Sequence, residues 1–117
     1  MKYALLKLQN AVVIELEGDV WGGWDTLELK EAVGEMVRHG DLRYVADLSG
    51  TGMVNSAGLG VLMAVKDLVE QARGRLVLCG ASERTRRVMA ISETTGQFTI
   101  VETRDDAFRT LGVQPGA

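Results

Sequence analysis

One stretch constrains the fold of this chain more than any other: Asp47-Leu-Ser-Gly-Thr-Gly-Met-Val-Asn-Ser-Ala-Gly-Leu-Gly60. It joins two segments that both read as buried. Before it, Tyr44 to Leu48 reads as a strand. After it, the longest helix runs from Ser56 to about Arg73. The first half of that helix is apolar nearly all round, through Leu59, Val61, Leu62, Met63, Ala64 and Val65, the pattern of a helix covered on most sides. Gly74 ends it. The linking residues Ser49 to Val54 read as a glycine-containing loop.

The other segments fit around this unit. Tyr3 to Leu8 and Ala11 to Glu17 are short apolar runs separated by Gln9 and Asn10, a tight hairpin in prospect. In the second run Val12, Ile14 and Leu16 alternate with Val13, Glu15 and Glu17, the period of a strand with one drier face. Gly18 to Trp24 reads as a loop. Asp25 and Glu28 have capping-box spacing, and Leu29, Ala32, Val33, Met36 and Val37 form one helical stripe that Gly40 stops. Leu76 to Cys79 is a continuous apolar run, as in a central strand. Ser82 caps a helix through Met89 and Ile91, and Phe98 to Val101 makes a last short strand. Thr103 and Asp106 have capping spacing ahead of Ala107, Phe108 and Leu111.

Strands alternating with helices imply right-handed crossovers and parallel neighbours, while the hairpin adds one antiparallel pairing. The expected fold is therefore α/β: a mixed, mostly parallel sheet of roughly four to five strands with an N-terminal hairpin, flanked by about four helices. At 117 residues one domain is expected, over 1–113, with 114–117 a frayed tail.

Composition narrows the function classes. The chain is 46% hydrophobic and 25% charged, ordinary for a folded globular protein. Its net charge of −3 argues against nucleic acid as a main partner. A single cysteine, Cys79, excludes an internal disulfide framework. The N-terminal apolar run is too short for a signal peptide, and no stretch approaches the roughly 20 apolar residues of a membrane span. A cytoplasmic location without membrane attachment is expected.

Ser56 falls at the helix start, where unpaired backbone N–H groups and a partial positive charge favour a phosphate. Gly58 and Gly60 are poor helix-interior residues, each costing about 1 kcal/mol relative to Ala. They suit a first turn kept bare for another surface. The competing reading makes Asn55 or Ser56 only an N-cap, with the glycines allowing close helix–sheet packing. On spacing alone the cap reading leads, since caps outnumber phosphorylation sites.

The segment DLSGTGMVNSAGLGVLMAV resembles the signature of the STAS family, the domain shared by sulphate transporters and anti-sigma factor antagonists. The likeness extends to the element order, to GRLVLCG after the long helix and to a late helix ending in TLGV. It implies a non-enzymatic binding switch with no cofactor and no metal. The unphosphorylated form would bind an anti-sigma factor that is also a serine kinase. Phosphorylation of Ser56 would block binding, and a PP2C-type phosphatase would restore it. The contact surface implied is Asn55, Ser56, Ala57, Gly58 and Leu59, with Thr51, Met53, Trp21 and Trp24 beside it. The expected state is a monomer or weak dimer. Two positions depart from the family pattern: Asn55 stands where Asp is frequent, and Trp21 where an acidic residue is frequent. Both remove negative charge beside Ser56. The alternative is a non-catalytic scaffold subunit of a larger stress-signalling complex, with Ser56 as a docking contact.

Other residues have simpler readings. Trp21 and Trp24 flank Gly22 and Gly23, and serve either as an interface hot spot or as a lid over the core edge. Asp47 ends a strand as receiver-domain phosphoacceptors do, but the acidic pair and lysine of a receiver are missing, so it reads as a loop-capping carboxylate. His39, the only histidine, falls in the last turn of a helix and has no partners for a zinc site. Val54 occupies the first glycine position of a hydrolase elbow, so Ser56 is no hydrolase nucleophile. Arg84, Arg86 and Arg87 read as a solvated basic face, with an anionic contact to a partner as the alternative. Cys79 reads as a small core residue.

Overall fold

The hairpin forms as its alternation predicts: β1 (Lys2–Leu8) pairs antiparallel with β2 (Ala11–Val20), Leu8 opposite Ala11. The computed structural model describes residues 1–8 and 10–113, the side chains of Trp24 and Asp25 excepted. Gln9 of the expected turn and the expected 114–117 tail lie outside the described residues. The chain continues through α1 (Trp24–Arg38), β3 (Arg43–Val54), α2 (Ser56–Gln71), β4 (Arg75–Cys79) and α3 (Glu83–Ile91). A 3₁₀ turn at Thr95–Gln97, β5 (Thr99–Val101) and α4 (Arg104–Thr110) complete it. The strands lie in the order β1-β2-β3-β4-β5, parallel from β2 onward. This is the mixed, mostly parallel sheet expected, with five strands.

Alternation along the strands divides the core in two. Val12, Ile14 and Leu16 of β2, Tyr44, Ala46 and Leu48 of β3, and Leu76 and Leu78 of β4 face α1, α2 and α3. Val13, Val45, Val77 and Cys79 face the other way and are closed over by Ala107, Phe108 and Leu111 of α4. Both faces of β4 are therefore covered, which is why its sequence is an unbroken apolar run. The same burial extends to Val13, so β2 is dry on both faces along its first half rather than on one. Among the described residues no helix is long and apolar enough to cross a membrane.

Three local expectations are corrected. Ser49 to Val54 is not a loop: β3 continues through Val54, and β2 continues beside it to Val20. Glu17 pairs with Gly50, Gly18 with Thr51 and Val20 with Val54, across two register shifts. The Asp19 carboxylate pins this extension by accepting the Met53 backbone N–H at 2.8 Å. The extension is largely exposed and rich in glycine, so it carries no apolar alternation to read. Helix α1 does not start from an Asp25 capping box. Gly23, at φ 112°, is its N-cap without a side-chain bond, because the positive-φ Gly22–Gly23 pair turns the chain into the helix two residues earlier. Helix α2 stops at Gln71 rather than Arg73, and Arg73 adopts φ 66° to turn the chain toward β4.

Candidate functional site

Where β3 ends, Asn55 reverses from strand to helix. It keeps an extended backbone and its Oδ1 accepts the Gly58 N–H at 2.8 Å, while its own carbonyl accepts the Leu59 N–H at 2.9 Å. Asn55 is thus the N-cap of α2 and Ser56 is its first helical residue. The cap satisfies one donor of the first turn, and the N–H groups of Ser56 and Ala57 have no intrahelical acceptor. Ser56 is exposed, and no hydrogen bond among the described residues engages its hydroxyl. No acidic residue lies in the first turn of α2, so the partial positive charge of a helix start is not offset there.

The two glycines of this turn have different work. Gly58 is buried, and a Cβ there would collide with the Val20 carbonyl oxygen. Its bareness lets the end of β2 lie against α2, which is the close-packing reading rather than the open-surface one. Gly60 is exposed with nothing within 4 Å of a Cβ position. Gly60, unlike Gly58, keeps the outer face of the helix low.

The loop after β2 lies on this same turn. A Cβ at Gly22, which holds φ +88°, would meet the Ala57 Cβ at 3.6 Å. Trp21 beside it is 56% exposed, Met53 is 43% exposed and Leu27 on α1 is 51% exposed. A shallow groove between α1 and α2 is lined by Gly22, Leu27, Lys30, Ala57, Gly60 and Ala64 among others. Ser56 therefore sits beside an apolar, open surface. Leu59 and Gly58 are in the core and present no surface, and the Thr51 hydroxyl is turned inward, donating to the Leu48 carbonyl at 2.6 Å. Trp24 opens α1, and its side chain lies outside the described structure.

Asp47 is committed elsewhere. Its Oδ1 accepts the Ser49 N–H at 3.0 Å and the Ser49 hydroxyl at 2.7 Å. Its Oδ2 accepts from Arg104 Nη2 at 2.7 Å and Nε at 3.2 Å, and Nη2 also reaches Glu15 Oε2 at 2.7 Å. Partial burial alone would raise the Asp47 carboxyl. The Ser49 bonds and the Arg104 guanidinium outweigh it and hold the group below its usual value. This ion triad ties the first turn of α4 to the sheet, and sequence reading missed it. Glu15 and Asp47 are register neighbours on adjacent parallel strands, and Arg104 neutralises two like charges that would otherwise stand side by side, a pairing visible only once the strands are aligned. Burial and the Asp47 charge push the nearby Cys79 thiol up to about 12.

The remaining candidates are ordinary. His39 Nδ1 lies 2.8 Å from the Glu35 carbonyl at the end of α1. Arg86 pairs with Glu102 at 3.4 Å and Arg87 with Glu83 at 3.3 Å, while Arg84 is exposed. Among the described residues no His, Cys, Asp or Glu group could hold a metal ion.

With this fold and this exposed helix start in place, comparison with known proteins places the chain. The family described as the Mlab STAS domain matches residues 4–102, and the chain belongs to the STAS family. BtrV of Bordetella bronchiseptica, a candidate anti-sigma factor antagonist, is 30% identical over 107 residues, covering 92% of this chain and 91% of its own length. The crystal structure of an anti-sigma factor antagonist from Mycobacterium paratuberculosis superposes with a TM-score of 0.77 at 22% identity, over 95% of this chain and 93% of that one. The anti-sigma factor antagonist SpoIIAA in its unphosphorylated form superposes at 0.77 with 18% identity, over 96% and 98%. The phosphorylated form of SpoIIAA, a Bacillus cell fate determinant, superposes at 0.70 with 18% identity, over 93% and 98%.

Proposed function

We propose that this protein is a cytoplasmic, non-catalytic anti-sigma factor antagonist, switched by phosphorylation at Ser56. Its unphosphorylated α2 start binds an anti-sigma factor that is also a serine kinase. A PP2C-type phosphatase returns the phosphorylated form to the binding state. The observation that carries this reading is the Ser56 hydroxyl: exposed, without a hydrogen bond among the described residues and first in a long helix, beside exposed Trp21 and Met53. The likeness to BtrV, named as an antagonist, supports the binding role. That the structural neighbour SpoIIAA has a phosphorylated form supports the switch.

The physics of the switch follows from where the charge goes. A phosphate adds about −1.5 to −2 charges at neutral pH. At the start of α2 the helix dipole and the free N–H groups favour it, so the domain itself stays folded. Asn55 caps without a charge, so no carboxylate at that position repels the phosphate. In the complex the same charge would be pressed against a partner that matches an apolar surface. Burying it without a counter-ion costs several kcal/mol, and a cost of about 3 kcal/mol weakens binding more than 100-fold. Phosphopeptide mass spectrometry of the protein from its own cell, with identification of what co-purifies, tests the reading. Phosphate on Ser56 in the free protein, with unmodified Ser56 in the fraction that co-purifies with a serine kinase, supports it. Phosphate on Ser56 in the kinase-bound fraction at the same level as in the free protein, or no phosphate on Ser56 in either fraction, removes Ser56 as the switch.

A further inference from the structure

At the opposite end of the sheet from Ser56, three arginines gather around one groove. Gly40, Leu42, Arg43, Arg73, Arg75 and Leu111 line it, where the α1–β3 turn, the α2–β4 turn and the end of α4 meet. These turns are locked together: the Arg75 N–H donates to the Leu42 carbonyl at 2.8 Å, and a Cβ on Gly74 would lie 2.5 Å from that same oxygen. The groove is therefore held by backbone, not by loose side chains.

Two features of this cluster carry a folding cost. Arg43 and Arg75 stand directly opposite each other on neighbouring strands, a like-charge pairing that weakens a sheet. Arg73 holds φ 66°, a left-handed conformation that a glycine adopts freely and a long side chain does not. Carboxylates near the groove in the chain are paired with other cations, Asp41, between the lining residues Gly40 and Leu42, with Lys7, Glu70 with Lys66 and Asp106 with Arg109. Among the described residues none forms an ion pair with Arg43, Arg73 or Arg75. Arg75 Nη1 donates to the Thr110 carbonyl at 3.1 Å, which orients its guanidinium and leaves its other N–H groups without a partner among the described residues. All this occurs in a chain of net charge −3.

We propose that this groove is an anion site that takes a phosphate-bearing group, held by the forked donors of Arg43, Arg73 and Arg75. Guanidinium forks match phosphate oxygens bidentately, and three of them around one concavity suit a doubly charged group. Leu42 and Leu111 add an apolar wall, so the ligand carries the phosphate on an organic body. A soluble phosphate ester and a phospholipid headgroup share this chemistry.

The test is a titration of the full-length protein with inorganic pyrophosphate, followed by backbone amide NMR at constant ionic strength. In parallel, sedimentation is measured with vesicles of phosphatidylcholine with and without phosphatidic acid. The proposal expects shifts at residues 40–43, 73–75 and 110–112. It expects the Arg43→Gln/Arg73→Gln variant to lose affinity by about tenfold or more, while Arg84→Gln on α3 is unchanged. Co-sedimentation that needs both phosphatidic acid and the arginines assigns a headgroup. Arginine-dependent pyrophosphate shifts without co-sedimentation assign a soluble ligand. Arg73→Gly supplies an internal check, because it should raise the melting temperature and weaken binding together. Shifts that spread over other basic residues, or affinities equal in wild type and the double variant, overturn the site.

Discussion

Gly58 on α2 lies against the backbone carbonyl of Val20 at the end of β2, closer than any side chain could lie. This contact fixes the height of the α2 start over the sheet. It also brings the Trp21–Gly23 loop onto Ala57, so the loop and Ser56 share one surface.

Gly58→Ala forces a methyl into the Val20 carbonyl, so strand or helix must move. Overpacking of this kind costs about 1–3 kcal/mol, a drop of several degrees in melting temperature. Gly60→Ala, two residues further on and so about 200° around the helix from that contact, meets open space. It should stabilise by up to about 1 kcal/mol through helix propensity alone. Thermal melts of the two variants should therefore move in opposite directions, and a shift of the same sign in both would contradict the packing assigned to Gly58.

The Asp47 carboxyl titrates below its unfolded value, so its contribution to stability is present above about pH 4 and is lost as pH falls through the lower folded value. Asp47→Asn should lower stability at neutral pH by about 1–3 kcal/mol, because Arg104 and Ser49 lose a charged acceptor. The difference between wild type and variant should shrink below pH 4. Denaturant unfolding from pH 3 to 7 measures this, and a constant difference across that range would mean that the charge of Asp47 contributes nothing.

Cys79 is buried, with its thiol pushed up to about 12 by burial and by the Asp47 charge. Thiolate is the reactive form, so native protein at pH 8 should resist a thiol reagent such as iodoacetamide. Labelling should become rapid only in denaturant. Fast labelling of native protein would place Cys79 near the surface.

Trp21 is too exposed to act as a lid over the core. Trp21→Ala should leave the melting temperature within about 1 kcal/mol equivalent of wild type while weakening anti-sigma factor binding by about 2 kcal/mol, a loss of roughly 30-fold. A large fall in melting temperature with unchanged binding would restore the lid reading.

Much of this was legible in the sequence, and the exceptions share causes. Alternation and apolar runs located every strand and helix, because burial on one or both faces leaves a periodic record. Asn55 and Ser56 were both possible caps, and only coordinates show that Oδ1 of Asn55 takes the role and leaves Ser56 free. The Ser49–Val54 extension was hidden because its strand pairing is with backbone and its side chains are mostly exposed. Gly58 and Gly60 looked alike in sequence, yet one faces Val20 and the other solvent. The Glu15–Arg104–Asp47 triad spans residues far apart in the chain, and no local pattern announces it.

The central proposal is that the Ser56 surface binds an anti-sigma factor and that added charge there breaks the complex. The most direct measurement is the dissociation constant of the co-purified anti-sigma factor for wild type, Ser56→Ala and Ser56→Asp, with circular dichroism confirming that all three are folded. Ser56→Ala should bind as wild type does, and Ser56→Asp should bind at least tenfold more weakly, about 1.4 kcal/mol. Equal affinity across the three folded proteins would contradict the account.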